Sequence, residues 1–473
     1  MKTSRSFLLL IAVASFIFSG CNSAPKQTVL SAEQVLSKAS RTEKDGWIFV
    51  HLEGTPDQIG YQHGWLLANE IIDLRGAIAN TDEKTSGKNW AFYREEAFRL
   101  HWKNVPEEYQ REIDGIVRGV NAKLGANRVD RKDILAMNAD LEMPGYYVPW
   151  LQGIHKPRPE GRCSAIAATG SWTTDGKIVI AHSNWSTYTV GQRWNIILDI
   201  VPEKGNRILM DAPPGFIHSG DDFFLSSAGL VVTETTITQF AGYDTTGIAE
   251  FVRARRAIQY ASSIDEWVNI MRERNNGGYA NDWLIGDNKT GEIARLELGL
   301  KNMPLERTKD GCLVGANFPV TSKLTKEETS FDTTLMSSSP NARKARWAQL
   351  LKEYKGKIDI AAAKKFLGDH YDTWLKKEGA SARTLCGHVE SDPAGAECWG
   401  EGPFYPIGAV QAKVTDGNLA SEMKIWAIMG HPCGEPFIAS DFLSKHPQYN
   451  YLKDYLRDMP SRPWSEFGIQ VQR

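Results

Sequence analysis

A thiol at the start of a strand offers the most chemistry in this sequence. Cys163 follows Gly161-Arg162 in the stretch GRCSAIAATGSWTTDGKIVIAHSNWSTY, residues 161–188. An apolar run begins at the cysteine, breaks at Thr174-Asp175-Gly176 and resumes until His182-Ser183-Asn184-Trp185, the pattern of a β-hairpin. Three readings of Cys163 compete: a buried core cysteine, half of a disulfide, or a nucleophile. Position bears on the choice. The preceding residues, PGYYVPWLQGIHKPRPEGR, contain Pro144, Pro149, Pro157 and Pro159 and exclude a regular helix or a central strand. Such a loop can be cut without loss of the fold. A cut between Arg162 and Cys163 leaves one residue with both a thiol and a free α-amine, whose reference pKa of about 7.7–8.0 keeps a fair share neutral near pH 7. The amine can take the thiol proton directly or through water, so nucleophile and base come from a single residue. His182 and Trp185 lie three apart close to the hairpin partner of Cys163. The first is a candidate to orient the thiol or amine, the second to wall an acyl pocket; a satisfied histidine and a packing tryptophan at a strand end are the alternatives.

The other cysteines constrain the setting. The chain has 473 residues, six of them cysteine. Lys2 and Arg5 precede an apolar run from Phe7 to Phe18, the length of a signal-peptide core and short for a membrane span. Phe18-Ser19-Gly20-Cys21 resembles a bacterial lipobox, so residues 1–20 are expected to be a lipoprotein signal peptide, Cys21 the lipidated residue and residues 21–40 a tether. Asn22 in the next position resembles the sorting pattern of outer-membrane rather than inner-membrane lipoproteins, which places the chain in the bacterial cell envelope. Cys163, Cys312, Cys386, Cys398 and Cys433 remain, and one free thiol with up to two disulfides is the simplest division, Cys386 and Cys398 being near enough in sequence to pair. No C-x-x-C or H-E-x-x-H occurs, so no metal and no cofactor is expected. His431-Pro432-Cys433-Gly434 reads as a loop near a disulfide. A net charge of −2 offers no basic field for nucleic acid.

The elements that must position these groups are legible in outline. Trp47 to Leu52 alternates as a strand, and Thr55-Pro56-Asp57-Gln58 combines an N-cap, a first-turn proline and a capping-box glutamine. Ile59, Leu66, Leu67, Ile71 and Leu74 follow on one helical face. Helices are expected over 88–102, 106–124, 130–141, 247–260, 263–274, 341–354 and 359–368. Strands are expected over 163–169, 177–183, 194–201, 206–211, 223–235, 282–287, 292–298, 407–415 and 423–429. Helices, then strands, then helices imply an α+β fold of stacked sheets between helical layers. Residues 41–162 read as a mainly helical N-terminal segment ending in a linker at about 142–162, followed by a segment over 163–473.

The ordered motifs carry a resemblance. Cys163-Ser164-Ala165 with its hairpin and His182-Ser183-Asn184-Trp185-Ser186-Thr187-Tyr188 looks like the phospholipase B-like family. Gly54-Thr55-Pro56 through Gly60-Tyr61-Gln62-His63-Gly64 is similar to that family's early helix, Ser226 through Thr236 to its "S-S-G-L-V-V-x-E-T-T" strand, and Tyr279-Ala280-Asn281-Asp282-Trp283 to its "Y-N-N-Q-W" run, with Asp282 in place of the glutamine. The family belongs to the N-terminal-nucleophile (Ntn) hydrolases, beside the acyl-coenzyme A:6-aminopenicillanic acid acyltransferase group of the peptidase C45 type. The resemblance implies a four-layer αββα sandwich, autocatalytic cleavage before Cys163 that leaves residues 163–473 as the catalytic chain, trimming near 145–161, and hydrolysis of a linear amide or ester acyl bond through a Cys163 thioester. It implies Asn281 as oxyanion donor, Thr235 as a partner of the α-amine, and Arg343, in a region similar to the family's Ser-Pro-Arg, as a holder of carboxylate or phosphate. Partners would be a small acylated amide or lipid, and the membrane through the lipid anchor. An acyltransferase of the C45 type, a cysteine protease with a Cys–His dyad, and a non-catalytic envelope-binding lipoprotein on the same fold are the rival readings.

Overall fold

The computed structural model describes residues 31–154 and 162–469. The expected signal peptide, Cys21 and linker residues 155–161 lie outside the described residues. Strands follow the chain as β1 (Ser40–Lys44), β2 (Trp47–Gly54), β3 (Arg162–Thr169), β4 (Val179–Thr187), β5 (Ile196–Pro202), β6 (Ile208–Ala212), β7 (Phe223–Ser226) and β8 (Leu230–Thr236). They continue as β9 (Asn281–Asp287), β10 (Glu292–Leu298), β11 (Leu305–Thr308), β12 (Gly311–Gly315), a short hairpin of β13 (Tyr371–Asp372) and β14 (Lys377–Glu378), β15 (Ile407–Asp416), β16 (Lys424–Met429) and β17 (Ser465–Gly468).

Two large sheets result. A nine-stranded sheet runs β1-β2-β5-β6-β7-β8-β9-β10-β11, and a six-stranded sheet runs β12-β3-β4-β15-β16-β17. Their pairings are antiparallel except that of β2 with β5, which is parallel. Period-two alternation divides each strand between two cores. Ala165, Ala167, Ile178 and Ile180 of the smaller sheet pack against Ile197, Leu209, Val231 and Leu284 of the larger, forming the core between the sheets. The outer face of the larger sheet, through Val50, Leu198, Val232 and Ile285, packs on helices that include Ile71, Ile113 and Trp267. The outer face of the smaller, through Ile166, Ala168, Ala181 and Val414, packs on Trp347, Leu350 and Phe366 of the helices Ser339–Tyr354 and Ile360–Leu367. The layer order is helix, sheet, sheet, helix: an α+β four-layer αββα sandwich.

Local chemistry sets the boundaries. The helix Pro56–Leu66 opens with the expected Thr55/Gln58 capping box and first-turn proline. The single apolar stripe read from Ile59 to Leu74 is broken at Leu67, and a second helix runs Ala68–Ser86. The strand expected over 223–235 is two strands: Gly229, at φ +87°, closes a tight turn by donating to the Ser226 carbonyl at 2.8 Å. The described part of the proline-rich stretch, up to residue 154, is not extended: it has a π-helical turn at Met143–Tyr147 and one α-turn at Val148–Leu151, with Pro144 and Pro149 in their first turns. Residues 32–36 of the expected tether form a short capped helix. No helix among the described residues is long and apolar enough to cross a membrane.

The cysteine arithmetic is corrected by geometry. Cys163, Cys312, Cys386, Cys398 and Cys433 are all free thiols, so neither the Cys386–Cys398 pairing nor another disulfide is formed among the described residues. Cys386 instead sits 3.2 Å from His388 Nε2, while the Cys398 carbonyl is held by the Gln239 amide at 3.1 Å.

Candidate active site

Cys163 is the second residue of β3 and is fully buried. It faces the space between the sheets, on the side of Ala165 and Ala167. Its register partner on β4 is Asn184, and Ala165 is paired with His182, so His182 stands diagonally across from the thiol on the same face. Donor atoms of Cys163, His182, Asp222 and Glu234 all lie within 4.8 Å of one another. The thiol is 3.7 Å from Glu234 Oε1, and Tyr279 donates to both Glu234 (3.0 Å) and Asp222 (2.7 Å). The Cys163 backbone N–H donates to Asn317 Oδ1 at 3.0 Å. Asn317 is anchored in turn, donating to the Thr236 carbonyl at 2.9 Å and accepting from Arg343 at 2.9 Å.

Three of these residues carry backbone strain. Asp222, Tyr279 and Asn317 adopt φ of 70°, 53° and 65°, the left-handed region that L-residues with side chains occupy at a cost. Each sits where a loop meets a sheet end, and each aims its side chain at Cys163 or at Glu234. The strain is held by the hydrogen bonds just described.

Electrostatics follow from burial. The thiol is pushed well above its ordinary range, first by desolvation and then by Glu234 and Asp222, against the pull of Lys413 and Arg343. Glu234 is raised by burial to about 8, and Asp222 is raised well above the carboxylate range by burial and by Glu234. Burial and mutual repulsion therefore both oppose ionisation of this pair of carboxyls. His182 is held neutral by burial and by Lys413. Lys413, its register partner on β15, forms an ion pair with Asp211 and donates to the Asp221 carbonyl at 2.9 Å. A polar seam thus crosses the inter-sheet core beside the thiol.

Several buried polar groups here lack partners. Both ring nitrogens of His182, both amide atoms of Asn281 and the Thr235 hydroxyl have no hydrogen-bond partner among the described residues. Buried polar atoms are nearly always satisfied, so this concentration marks a place where a ligand or water completes the network. A narrow cleft lies nearby, lined by Asp140, Leu141, Pro144 and Gly145 on one side and by Asn184, Ser186 and Tyr279, which donates to Glu234, on the other.

The residues singled out from sequence divide into two groups. Cys163, His182, Asn281 and Thr235 sit in or beside the inter-sheet seam: Asn281 pairs with Thr236 at the end of β9, and Thr235 points at Gly315 of β12. The Cys163 N–H, assigned to Thr235, goes to Asn317. Trp185 and Arg343 lie on the opposite face of the smaller sheet. Arg343 stacks between Trp185 (4.3 Å) and Trp399 (5.7 Å) and donates to the Cys163 carbonyl and, at 3.2 Å, to Ser164 Oγ. It holds the Cys163 backbone from behind. Arg162 is buried, ion-paired with Glu401 and stacked on Trp399 at 4.6 Å. Asp222 and Asn317 were not found from sequence, because nothing local distinguishes them; Glu234 entered only as one residue of the Ser226-to-Thr236 run. Asp282, the departure from the family run, forms an ion pair with Arg295 of β10 at 3.2 Å and belongs to the sheet's own packing.

Comparison with known proteins bears on this arrangement. Residues 76–299 match the family model Phospholipase B. This chain resembles phospholipase B-like proteins. The match spans Cys163, His182, Asp222, Glu234 and Asn281 and ends before Asn317. Similar proteins include phospholipase B-like protein F of Dictyostelium discoideum, 35% identical over 28% of this chain and 24% of that protein. Human phospholipase B-like 1 is 25% identical over 46% of this chain and 42% of its own length. An uncharacterised protein of Archaeoglobus fulgidus is 25% identical over 52% of this chain and 42% of its own. The matched stretches are thus less than half the length of these phospholipase B-like relatives. Among solved structures, penicillin V acylase from Agrobacterium tumefaciens overlays 56% of this chain and 83% of its own, with 10% identity and a TM-score of 0.33. A conjugated bile acid hydrolase from Clostridium perfringens overlays 56% of this chain and 89% of its own, with 11% identity and a TM-score of 0.33.

Proposed function

We propose that this protein is an acyl hydrolase that cuts its own chain before Cys163 and then uses that residue to cleave a linear amide or ester. The observation that carries the reading is the surroundings of one residue: a buried thiol at a strand start, against Glu234, beside neutral His182, with its own nitrogen held by Asn317. In the intact chain the Cys163 thiol adds to the Arg162 carbonyl carbon. Glu234, as carboxylate, takes the sulfur's proton. Collapse breaks the C–N bond, passes a proton to the leaving nitrogen and leaves a thioester to a free α-amine. Water then hydrolyses the thioester, releasing the Arg162 carboxylate and restoring the thiol. In the cleaved enzyme the α-amine, still on Asn317, accepts the thiol proton as sulfur attacks the substrate acyl carbon and returns it to the departing amine or alcohol; water, deprotonated by the same amine, then hydrolyses the acyl thioester, releasing the carboxylic acid and restoring the thiol. Asn281, with a buried and unpartnered amide, supplies a donor to the oxyanion.

The phospholipase B-like relatives direct attention to phospholipid esters. A thiol paired with an amine suits acyl amides equally, so the proposed substrate class is an acyl chain joined to a small polar head by either bond. The Arg162 side chain sits on Trp399 and Glu401, on the face of the smaller sheet away from the sulfur, so the head group is proposed to enter from the inter-sheet side instead. The lipobox-like Phe18-Ser19-Gly20-Cys21 supports a lipid anchor in the bacterial envelope; substitution Cys21→Ser should abolish labelling by a fatty-acid precursor.

A denaturing gel with N-terminal sequencing tests the central claim. Two fragments are expected, the larger beginning at Cys163, with the Cys163→Ala chain remaining whole and inert to a thiol-directed acyl probe. A wild-type chain that stays intact and unlabelled would leave a non-catalytic binding protein on this fold.

A further inference from the structure

A second cluster of reactive side chains lies on the other side of the smaller sheet. We infer that His370, Cys386, His388 and Cys433 form a structural zinc site. Their donor atoms all lie within 4.8 Å of one another. Cys386 Sγ is 3.2 Å and Cys433 Sγ 3.5 Å from His388 Nε2. A tetrahedral ion with Zn–S near 2.3 Å and Zn–N near 2.0–2.1 Å holds neighbouring donors about 3.3–3.8 Å apart. The two sulfur-to-imidazole separations are near that spacing, and the whole set needs only small side-chain adjustments to reach it.

The surroundings fix the right atoms. His388 Nδ1 is held by Glu390 Oε1 at 2.8 Å, which leaves Nε2 facing the two sulfurs, the carboxylate–histidine arrangement that orients metal-binding imidazoles. His370 Nε2 is buried with no hydrogen-bond partner among the described residues. Its ring meets the His388 ring edge to face at 4.9 Å. His431, although 4.3 Å from His388 by ring centroid, has both nitrogens committed: Nε2 to the Tyr188 hydroxyl at 3.0 Å and Nδ1 to the Glu435 carbonyl at 2.8 Å. It packs against the site without ligating.

Sequence spacing concealed this set. Cys386-Gly387-His388 and His431-Pro432-Cys433 are widely separated, and His370 precedes both, so no short motif joins them. Four protein donors leave no open position, which makes the site structural rather than catalytic. Its mechanical reach is clear. Leu385, beside Cys386, accepts a hydrogen bond from Ser164 at 3.0 Å, one residue from the nucleophile. Gly387 lies so close to Trp185 that a Cβ there would come within 2.3 Å of the indole. The ion would rivet the 381–392 and 430–435 loops behind β3 and β4. Binding replaces the two thiol protons, releasing both to solvent.

The competing use of these sulfurs is a Cys386–Cys433 disulfide, and the two are separable without reference to catalysis. Elemental analysis of the purified full chain is expected to give one zinc per chain. Replacement by Co²⁺ should produce a sulfur-to-metal charge-transfer band and the intense visible bands of a tetrahedral ion. Both cysteines should resist alkylation until a chelator is added. The variants His370→Ala and Cys433→Ser should lose the metal, and chelation should lower the melting temperature of the wild type but not of these variants. Should the variants fail to fold, the wild-type measurements decide. A wild-type chain without stoichiometric metal that gives no cobalt spectrum after zinc-free preparation, or a non-reduced peptide pair linking Cys386 to Cys433, overturns the inference.

Discussion

At the scale of single residues, the decisive feature is a thiol raised by burial and set against an acid that is raised as well. Because the Glu234 carboxyl is lifted to about 8 from an ordinary value of 4.5, it has two opposite consequences with pH. Its proton is bound more tightly in the folded state, so the stability it contributes is fully present below pH 4.5 and is lost as pH rises toward 8. As a base for the Cys163 thiol it works only when ionised, so self-cleavage should accelerate over the range in which stability declines. Glu234→Gln is expected to flatten both profiles, read by denaturant unfolding and by the rate of chain cleavage at a series of pH values. Asn281 makes a separate prediction. Its amide is buried and unpartnered, so Asn281→Ala should leave thermal unfolding nearly unchanged while kcat falls about 10²–10³-fold, the usual cost of one oxyanion donor.

At the scale of elements, the helices Pro56–Leu66 and Glu107–Leu124 cross at backbone contact. Gly60 and Gly64 on one and Gly115 and Gly119 on the other make this possible: a Cβ at Gly64 would stand 2.1 Å from the Ile116 carbonyl oxygen. The Gly60-to-Gly64 segment was read from sequence as part of a family resemblance; its physical basis is this crossing. Gly64→Ala should force the helices apart and cost about 1–3 kcal/mol, the range for overpacking a tight core, measured by urea unfolding. The strands show the same logic around Cys163. β3 and β4 pair so that every second residue faces the inter-sheet seam, which places Cys163, His182 and Asn184 together and sends Trp185 to the far face.

At the scale of the whole molecule, the chain before the proposed cut is woven into the fold. β2 pairs with β5 in parallel register from Ile48/Ile196 to Gly54/Pro202, and the helices before residue 139 cover the outer face of the nine-stranded sheet. Cleavage before Cys163 should therefore not separate the pieces. Two bands are expected on a denaturing gel and one peak at the full mass in size-exclusion chromatography, with dissociation only in denaturant. Early separation under native conditions would contradict this packing.

Sequence by itself determined the elements whose signals are local: the Thr55/Gln58 capping box, the alternating strand before it, the hairpin that begins at Cys163 and the layer order implied by helices, strands and helices. Each depends on residues within a few positions of one another. It could not reveal the Gly229 turn inside an apparently continuous strand, because Ser226-Ser227-Ala228 carries no strong break, nor the cysteine partners. Only tertiary structure decided what surrounds Cys163. Asp222, Glu234, Tyr279 and Asn317 come from separate segments, as do His370, Cys386, His388 and Cys433, and they meet because strands distant in the chain pair in a fixed register and hold their loops at a common end. Periodicity specifies which face a side chain takes; long-range sheet pairing determines what it finds there.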